Sequence, residues 1–284
     1  MNILILGGSN FIGPIIIDKL LACGHNLTVF NRGKSKSSYP KTVRFIKGDR
    51  DSGFNINNHF DAVIDMCAYY GDQTKAAISQ INFDFFVHCS SAAVYKKSSS
   101  FPLTEDSPIG VWPLWGDYNH GKVECENILA ESGVKYASLR PVYILGPNNS
   151  FDREHFIYSR LKKGQQLVLP GDGSAKVQFV HVNDVVNCFV LLAEKQLSGV
   201  FNCAGDDITS LNGLVIEMGK IAGKKPVMKT DPKNDGENFD WVSFPFPNEP
   251  FLFSNKKIKS HGIAFTPLFN GLKKDYKNYY SKII

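Results

Sequence analysis

The sequence predicts an α/β fold, in which a doubly wound parallel sheet is covered by helices and joined to a smaller C-terminal lobe. Short apolar segments alternate with helix-like segments through the first half, and Gly24 and Gly133 stand just past two predicted helices. The chain also begins with a strand that enters a helix through a glycine turn. This alternation is typical of parallel sheets that bury both faces.

Each element follows from the spacing of its apolar residues. In the first half, the predicted strands are residues 2–6, 26–30, 43–46, 62–66, 83–89 and 135–139, and the predicted helices are residues 12–23, 73–80 and 118–132. In the second half, the predicted helices are 154–163, 185–194, 211–222, 254–260 and 268–280, and the predicted strands are 167–169, 177–180 and 200–203. Residues 230–250, rich in Pro, Asn and Asp, predict an irregular segment.

The composition is that of a globular protein and argues against several other classes. The chain has 284 residues, of which 43% are hydrophobic and 21% charged, without an apolar run long enough to cross a membrane. The N-terminus lacks the basic leader of a signal peptide. Six cysteines without a C-x-x-C pair and scattered histidines predict free thiols, a cytoplasmic location and no metal site. A net charge of +5 suits an anionic cofactor and substrate.

The N-terminal turn has the spacing G-x-x-N-x-x-G, formed by Gly7, Asn10 and Gly13 with Gly8 in addition. A small-residue turn between a strand and a helix lets backbone N–H groups approach a pyrophosphate, so the pattern predicts a dinucleotide site. Asn10 is expected to take the left-handed conformation that glycine usually supplies. The alternative is a buried strand–helix turn that binds no ligand.

Tyr118 and Lys122 lie four residues apart at the start of a predicted helix, and therefore on one face of it. An ammonium group beside a phenol favours the phenolate and suits general acid–base catalysis. Ser90 and Ser91 follow a predicted strand, at the end where open α/β sheets bind ligands. The alternatives are an exposed helix pair for the first two residues and a local turn cap for the serines.

Six segments in this order, GGSNFIG, HCSSAAVY, YNHGK, LRPVYILGP, QFVHVNDV and FNCAG, resemble the extended short-chain dehydrogenases/reductases of the NAD(P)-dependent epimerase/dehydratase type. The resemblance implies that Ser91, Tyr118 and Lys122 are catalytic, with Ser90 as the reserve for Ser91. It also implies a Rossmann domain over residues 1–150 and a substrate-binding lobe over 151–284, partly woven back into the sheet.

The same resemblance implies a set of cofactor contacts. They are Gly7, Ser9, Asn10, Phe11, Ile12, Gly13, Asn31, Arg32, Lys34, Asp49, Arg50, Ala68, Tyr118, Lys122, Pro141 and Val142. After the second strand, an acidic residue would select NAD, whereas Asn31, Arg32 and Lys34 stand there instead, and an arginine suits the 2′-phosphate of NADP. NADP is therefore favoured over NAD, unless Arg32 is only a solvated turn residue.

Ser91, Asn148, Arg153 and Lys176 are the residues expected to contact the substrate. Nucleotide-sugar enzymes of the family often carry an arginine where this chain has Val177, beside Lys176. Together with the unusual glycine turn, this makes the chain similar to the atypical branch that includes chloroplast stem-loop RNA-binding proteins. Arg153 could also form only a local salt bridge at a helix start.

The leading hypothesis is an NAD(P)-dependent epimerase or reductase that acts on a hydroxyl or ketone of a sugar or nucleotide sugar. Ala92 and Ala93 supply no acidic group beside the serine, which disfavours a dehydratase by resemblance. The alternatives are a non-catalytic RNA-binding protein and a cofactor-sensing regulator of the same fold. The resemblance also implies a homodimer that pairs through the Tyr118–Lys122 helix, and composition and motifs predict no membrane partner.

Overall fold

The computed structural model describes residues 1–35 and 39–284. A seven-stranded parallel sheet forms its centre, in the order β12-β8-β7-β5-β1-β2-β3. The described strands are β1 (Asn2–Leu6), β2 (Asn26–Asn31), β3 (Arg44–Lys47), β4 (His59–Phe60), β5 (Ala62–Asp65), β6 (Asn82–Phe83), β7 (Phe86–Cys89), β8 (Tyr136–Pro141), β9 (Tyr143–Leu145), β10 (Gln166–Pro170), β11 (Lys176–His181), β12 (Gly199–Cys203), β13 (Ile208–Ser210) and β14 (Val227–Asp231). The predicted doubly wound α/β class is confirmed.

Helices cover both faces of this sheet. The described α-helices are α1 (Ile12–Ala22), α2 (Gly71–Gln80), α3 (Gly116–Glu131), α4 (Arg153–Lys163), α5 (Val182–Lys195), α6 (Leu211–Ala222), α7 (Lys256–Lys259), α8 (Leu268–Asp275) and α9 (Ser281–Ile283). A π-helical stretch, Tyr276–Tyr280, joins the last two.

Strand β1 illustrates why the sheet is buried on both sides. Ile3 and Ile5 pack into one core cluster, and Leu4 and Leu6 pack into a second cluster on the opposite face. All four side chains are buried, and burial of each contributes about 1.5–3 kcal/mol relative to exposure. An apolar run without alternation is therefore what this position requires.

The second half of the chain contributes to the same sheet. After residue 150, β12 returns to pair with β8, and α5 packs against α1. The smaller pairings β10–β14 and β13–β11–β9 lie outside the seven strands. Both halves thus share one sheet and one large core cluster. The predicted division into two domains at residue 150 stays a prediction.

Some predicted elements differ from the observed ones. The predicted strand 83–89 is broken, because β6 pairs with β4 whereas β7 pairs with β5. The predicted tail helix 268–280 changes to π-helical geometry after Asp275, and the predicted helix 254–260 shortens to α7. Strands β4, β9 and β13 have only two or three residues, too few for a periodic pattern to reveal them.

Helix α3 packs against α2 and against the loop that follows β5. A Cβ atom added to Gly121 would lie 1.9 Å from the carbonyl oxygen of Tyr69 in that loop. Only glycine therefore permits this approach of helix to loop, which carries Lys122 toward the sheet.

We expect Gly121→Ala to lower the free energy of unfolding by about 3 kcal/mol or more, since the clash is with backbone that cannot turn aside. The matched control is Gly133→Ala, whose Cβ meets nothing within 4 Å and which costs only its positive φ, about 1–2 kcal/mol. Urea unfolding measures both. Equal losses in the two variants would contradict the proposed close approach.

Candidate functional site

A cavity of about 1060 Å³ opens at the carboxyl ends of the central strands. Its wall runs from the glycine turn after β1, past the residues that follow β2, β5 and β7, to the first turn of α3. The residues around β9 and the start of α4 close the far side. In the sheet order, β1 lies between β2 and β5, so the chain leaves it in opposite directions, and ligands bind at such a switch point.

Most of the predicted site residues line this cavity. Among the predicted cofactor contacts, all but Gly13 and Ala68 belong to the wall, and so do Ser91 and Arg153 of the predicted substrate contacts. Asn148 and Lys176 do not belong to it. Asn148 accepts a hydrogen bond from the Tyr279 hydroxyl at 2.9 Å, and Lys176 is exposed, one residue before the fully buried Val177.

The glycine turn is tighter than its sequence suggests. Gly7 and Gly8 have φ angles of 93° and 75°, and a Cβ on Gly13 would lie 2.3 Å from the carbonyl carbon of Gly8. Gly13 therefore lies under the turn and allows helix and turn to touch. The expectation for Asn10 was wrong: its φ is not positive, and Phe11, with φ 48°, takes the unusual conformation just before α1.

Asn31, at the end of β2, joins two loops of the site. Its side-chain amide donates to the Gly7 carbonyl at 3.0 Å and to the Tyr39 hydroxyl at 2.8 Å, and its oxygen accepts from Gly33 N. Arg32 and Lys34, the neighbouring cations, are exposed on the cavity wall. The Asn31 side chain therefore shapes the turn, while the cations remain at the solvent side of the cavity.

Arg50 lies on the wall, but its guanidinium is already held by the protein. Two Nη atoms donate to the carboxylate of Asp65 at 2.8 and 2.9 Å, and one also donates to the Gln73 carbonyl. Burial alone would raise the pKa of Asp65, but the charge of Arg50 holds it below its usual value. The side chain therefore braces the loops after β3 and β5, and its predicted cofactor contact stays a prediction.

Lys122 is buried, with 3% of its surface exposed, beneath the exposed ring of Tyr118. Its Nζ donates to the carbonyl oxygens of Ala68 at 2.7 Å and Cys89 at 2.6 Å, and lies 5.8 Å from the centre of the Tyr118 ring. Burial acts to lower the pKa of Lys122, but Tyr118 and Cys89 outweigh it and raise that pKa. Ala68, predicted as a cofactor contact, thus holds the lysine through its carbonyl.

A second tyrosine, which the sequence reasoning did not identify, shares this lysine. The Tyr69 ring centre lies 5.1 Å from Lys122 Nζ and 6.2 Å from the Tyr118 ring. Tyr69 lines the cavity and is half exposed. Its position could not be inferred from spacing, because the loop after β5 brings it to α3 across about fifty residues of sequence.

The two serines have different environments. Ser91 lines the cavity, and its Oγ accepts a hydrogen bond from Ala93 N at 3.1 Å, which leaves its own proton free to be donated to a ligand. Ser90 also lines the cavity, but it donates to the buried carboxylate of Glu126, which is paired with Arg140. The Ser91 hydroxyl can therefore reach a ligand more readily than that of Ser90, and the catalytic role of Ser91 stays a prediction.

Asn119 fixes the serine loop to the tyrosine helix, and the sequence reasoning missed it. Its amide donates to the carbonyls of Ala93 at 2.6 Å and Gly110 at 2.9 Å, and its oxygen accepts from Trp112 N at 3.0 Å. The side chain is fully buried with all three bonds made. The sequence offered one signal for this role, because Asn119 is a polar residue between Tyr118 and Lys122.

Arg153, at the start of α4, is surrounded by rings. Its guanidinium carbon lies 4.6 Å from the ring centre of Phe151, 5.5 Å from Tyr143 and 5.7 Å from Phe246. Within residues 1–35 and 39–284, it makes neither a hydrogen bond nor an ion pair, so a local salt bridge is not its role. Burial lowers its pKa.

Glu154, the next residue, is a buried carboxyl that the sequence reasoning also missed. It accepts hydrogen bonds from Gly146 N and from the Asn149 amide, and burial raises its pKa to about 7. Tyr280 donates to the Gly146 carbonyl at 2.8 Å, so the carboxyl lies where the C-terminal helix meets the cavity wall.

Away from the cavity, His59, Asp61 and Asp84 have ligand-type atoms within 4.8 Å of one another. Asp61 accepts from the backbone N of Asn2, and His59 pairs with Asp84 at 3.0 Å. The proximity of these three side chains is therefore explained by an ion pair and by a hydrogen bond to the backbone. None of the helices in the described ranges is long and apolar enough to cross a membrane.

Comparisons with known proteins identify a family for this chain. The sequence profile of the NAD dependent epimerase/dehydratase family matches residues 73–204. The "Chloroplast stem-loop binding protein of 41 kDa b" of Arabidopsis thaliana is 30% identical, over 95% of this chain and 76% of that protein. A UDP-glucose 4-epimerase of Lactobacillus helveticus is 25% identical, over 71% of this chain and 76% of that protein.

Solved structures match over the whole fold. The UDP-glucuronic acid 4-epimerase of Bacillus cereus in complex with NAD superposes with a TM-score of 0.77 at 18% identity, covering 100% of this chain and 99% of that chain. The UDP-glucose 4-epimerase of Thermus thermophilus in complex with NAD has a TM-score of 0.77 at 19% identity, with 100% of both chains covered. These similarities establish the fold.

Glu154 predicts a pH-dependent contribution to stability. Between pH 4.5 and about 7 the unfolded chain loses this proton whereas the folded chain keeps it, so stability falls as pH rises, by about 3 kcal/mol in all. Glu154→Gln removes the contribution. We therefore expect the unfolding free energy of wild type minus that of Glu154→Gln to fall across this window and to stay constant above it.

Urea unfolding at a series of pH values measures this difference. Glu131→Gln is the control, because Glu131 also lies on a helix, α3, but is exposed. A difference that rises with pH, or one that is equal for both variants, would contradict the assignment to buried Glu154.

Proposed function

The chain belongs to the NAD-dependent epimerase/dehydratase family of extended short-chain dehydrogenases/reductases, and we propose that this enzyme interconverts a hydroxyl and a ketone on a sugar or nucleotide sugar, as an epimerase or reductase. One observation carries the proposal. The glycine turn, Ser91, Tyr118 and buried Lys122 all line one cavity at the carboxyl ends of the strands. This joins a dinucleotide cradle to an acid–base group.

The residues present fit a nicotinamide dinucleotide. Gly7 and Gly8 have positive φ, and Gly13 touches the backbone of Gly8, so the start of α1 lies against the turn without an intervening side chain. Backbone N–H groups there would hold the pyrophosphate, while Asp49 would lie at the adenine end and Pro141 and Val142 at the nicotinamide. When bound, the nicotinamide ring supplies the site for hydride exchange.

Tyr118 moves the proton in this proposal. Its phenolate takes a proton from the substrate hydroxyl, and its phenol returns one to the ketone in the reverse direction; the ammonium of Lys122 beneath it stabilises the phenolate. Two carbonyl oxygens hold that ammonium in place, so little reorganisation is needed during reaction. The hydroxyl of Ser91 donates to the substrate oxygen and orients it toward Tyr118.

Relatives support the substrate class. Proteins named UDP-glucose 4-epimerase and UDP-glucuronic acid 4-epimerase share the family or the fold. A second candidate, RNA binding, is favoured by the name of the Arabidopsis relative. The intact Ser91, Tyr118 and Lys122 arrangement favours the enzyme. A homodimer through α3, where Val123 and Ile128 are partly buried, stays a prediction.

We expect Tyr118→Phe to lower turnover by about 10²–10⁴-fold, since the proton donor and acceptor is lost, while the cofactor still binds. Turnover of UDP-glucose and UDP-glucuronic acid is measured with each coenzyme, and cofactor binding by calorimetry. Tyr70→Phe is the control, because Tyr70 is exposed and outside the cavity wall. Full activity in Tyr118→Phe would refute the role. RNA binding that falls with salt and is unchanged in this variant, without turnover in wild type, would favour the second candidate.

NADP is the proposed coenzyme, because Arg32 and Lys34 line the cavity after β2 and the described wall has no carboxylate on that strand end. We expect Arg32→Ala to weaken the binding of NADP by about tenfold. The effect is modest because the Arg32 side chain is exposed. NAD affinity should change less than about twofold, since NAD lacks the 2′-phosphate.

Calorimetry with both coenzymes measures these affinities. The control is Arg44→Ala, an exposed arginine bonded to Asn58 outside the cavity wall. Tighter binding of NAD than NADP to the wild type, as the NAD-bound neighbours would suggest, would overturn the preference and leave the dinucleotide site intact.

A further inference from the structure

Among the residues that the structure describes, five cations line the cavity, and Arg153 is the arginine that lies on the side away from the glycine turn. Six arginines occur in the chain, and Arg32, Arg50 and Arg153 line the cavity. Arg50 is neutralised by Asp65, and Arg32 lies beside the glycine turn. Arg153 lies across the cavity, at the start of α4, where the positive end of the helix adds to its charge.

The guanidinium of Arg153 is prepared for a ligand. The rings of Phe151, Tyr143 and Phe246 surround it, and no described side chain or carbonyl accepts its N–H groups. Arg153 is only partly exposed, so its guanidinium loses part of its hydration without gaining an acceptor, and the ring contacts replace only part of what is lost. An anion with two oxygens is the partner that a guanidinium fits best.

An aromatic wall stands next to this cation. Trp115 lies 5.5 Å from Trp241 and 5.3 Å from Phe251, measured between ring centres, and all three line the cavity. Trp115 also contacts Tyr143 at 6.1 Å, which continues the wall to Arg153. Trp241 is 43% exposed, so part of its surface is available to a ligand. Such a wall accepts a flat ring by stacking.

Among the described residues, Arg153 has no second cation beside it that could share a multiply charged group. Val177 is fully buried, Lys176 lies outside the wall, and Asp152 places a carboxylate on the wall instead. The described surroundings therefore suit one anionic group next to an apolar, planar one.

We propose that Arg153 and the aromatic wall of Trp115, Trp241 and Phe251 form the specificity site for a substrate that carries a flat ring next to a single anionic oxygen group, either a phosphate or a carboxylate. The proposal rests on the proposed function, since it takes the opposite end of the cavity to hold the coenzyme. It assigns substrate choice to residues outside the Ser91, Tyr118 and Lys122 set.

The test measures probe binding by calorimetry in the protein saturated with NADP or NAD. The probes are uridine monophosphate, 4-hydroxybenzoate, uridine and inorganic phosphate. We expect one ring-bearing anion to bind, and Arg153→Met to weaken it about ten- to a hundredfold, because a charged hydrogen-bond pair is lost. Arg153→Lys should recover part of the affinity. Lys163→Met, at an exposed residue of the same helix outside the cavity wall, should have no effect.

Trp241→Leu tests whether the aromatic wall binds the flat ring. This change should weaken binding of the ring-bearing anion several-fold more than binding of inorganic phosphate. Binding of uridine monophosphate alone identifies a nucleotide phosphate, and binding of 4-hydroxybenzoate alone identifies an aromatic carboxylate; both support the site. Absence of binding by both, or unchanged affinity in Arg153→Met, overturns it. Because coenzyme binding is recorded first and separately, its failure would count against the proposed function, whereas failure of the probes alone counts against this inference.

Discussion

The buried ammonium of Lys122 is the constraint on which the site depends. A charge removed from water costs several kcal/mol unless hydrogen bonds replace its hydration. Here the carbonyls of Ala68, after β5, and Cys89, at the end of β7, accept two of its three protons. Helix α3 must therefore lie close to both strand ends, and Gly121 permits that approach. Tyr118, one turn earlier on the same face, is then carried over the cavity.

The same helix face fixes the serine loop. Asn119, Lys122 and Glu126 are all buried, at the spacing of one helical stripe. Asn119 binds the carbonyl of Ala93, and Glu126 binds Ser90 while pairing with Arg140. Polar side chains thus occupy positions that would be apolar in most helices. Through them, helix α3 holds the serine loop and the Tyr118–Lys122 pair in fixed positions relative to each other. Such networks are stabilising only when their members are hydrogen-bonded, and each of these three side chains has at least two polar partners.

These features also explain how far sequence reasoning could reach. The apolar run of β1 and the glycines after it predict strand, turn and helix, because those signals are local. The four-residue spacing likewise predicts that Tyr118 and Lys122 share a face. The partner of Arg50, the positive φ of Phe11 and the proximity of Tyr69 to Lys122 are set by tertiary contacts, for which no local pattern exists. Asn10 fits a left-handed turn by residue type, yet its neighbour takes that conformation once Gly13 packs against Gly8.

The proposed substrate side of the cavity includes a segment without regular structure, and the packing of that segment explains how it can hold a defined shape. Phe244 and Phe246 are almost completely buried, and Phe251 exchanges backbone hydrogen bonds with β11 through Lys176 and Gln178. These anchors hold Trp241 at the cavity although no helix or strand contains it. The proposed coenzyme end is built from backbone and glycine, which leaves little freedom for substitution. Side chains on an anchored loop can change without disturbing the sheet, so this is where the fold can alter its substrate.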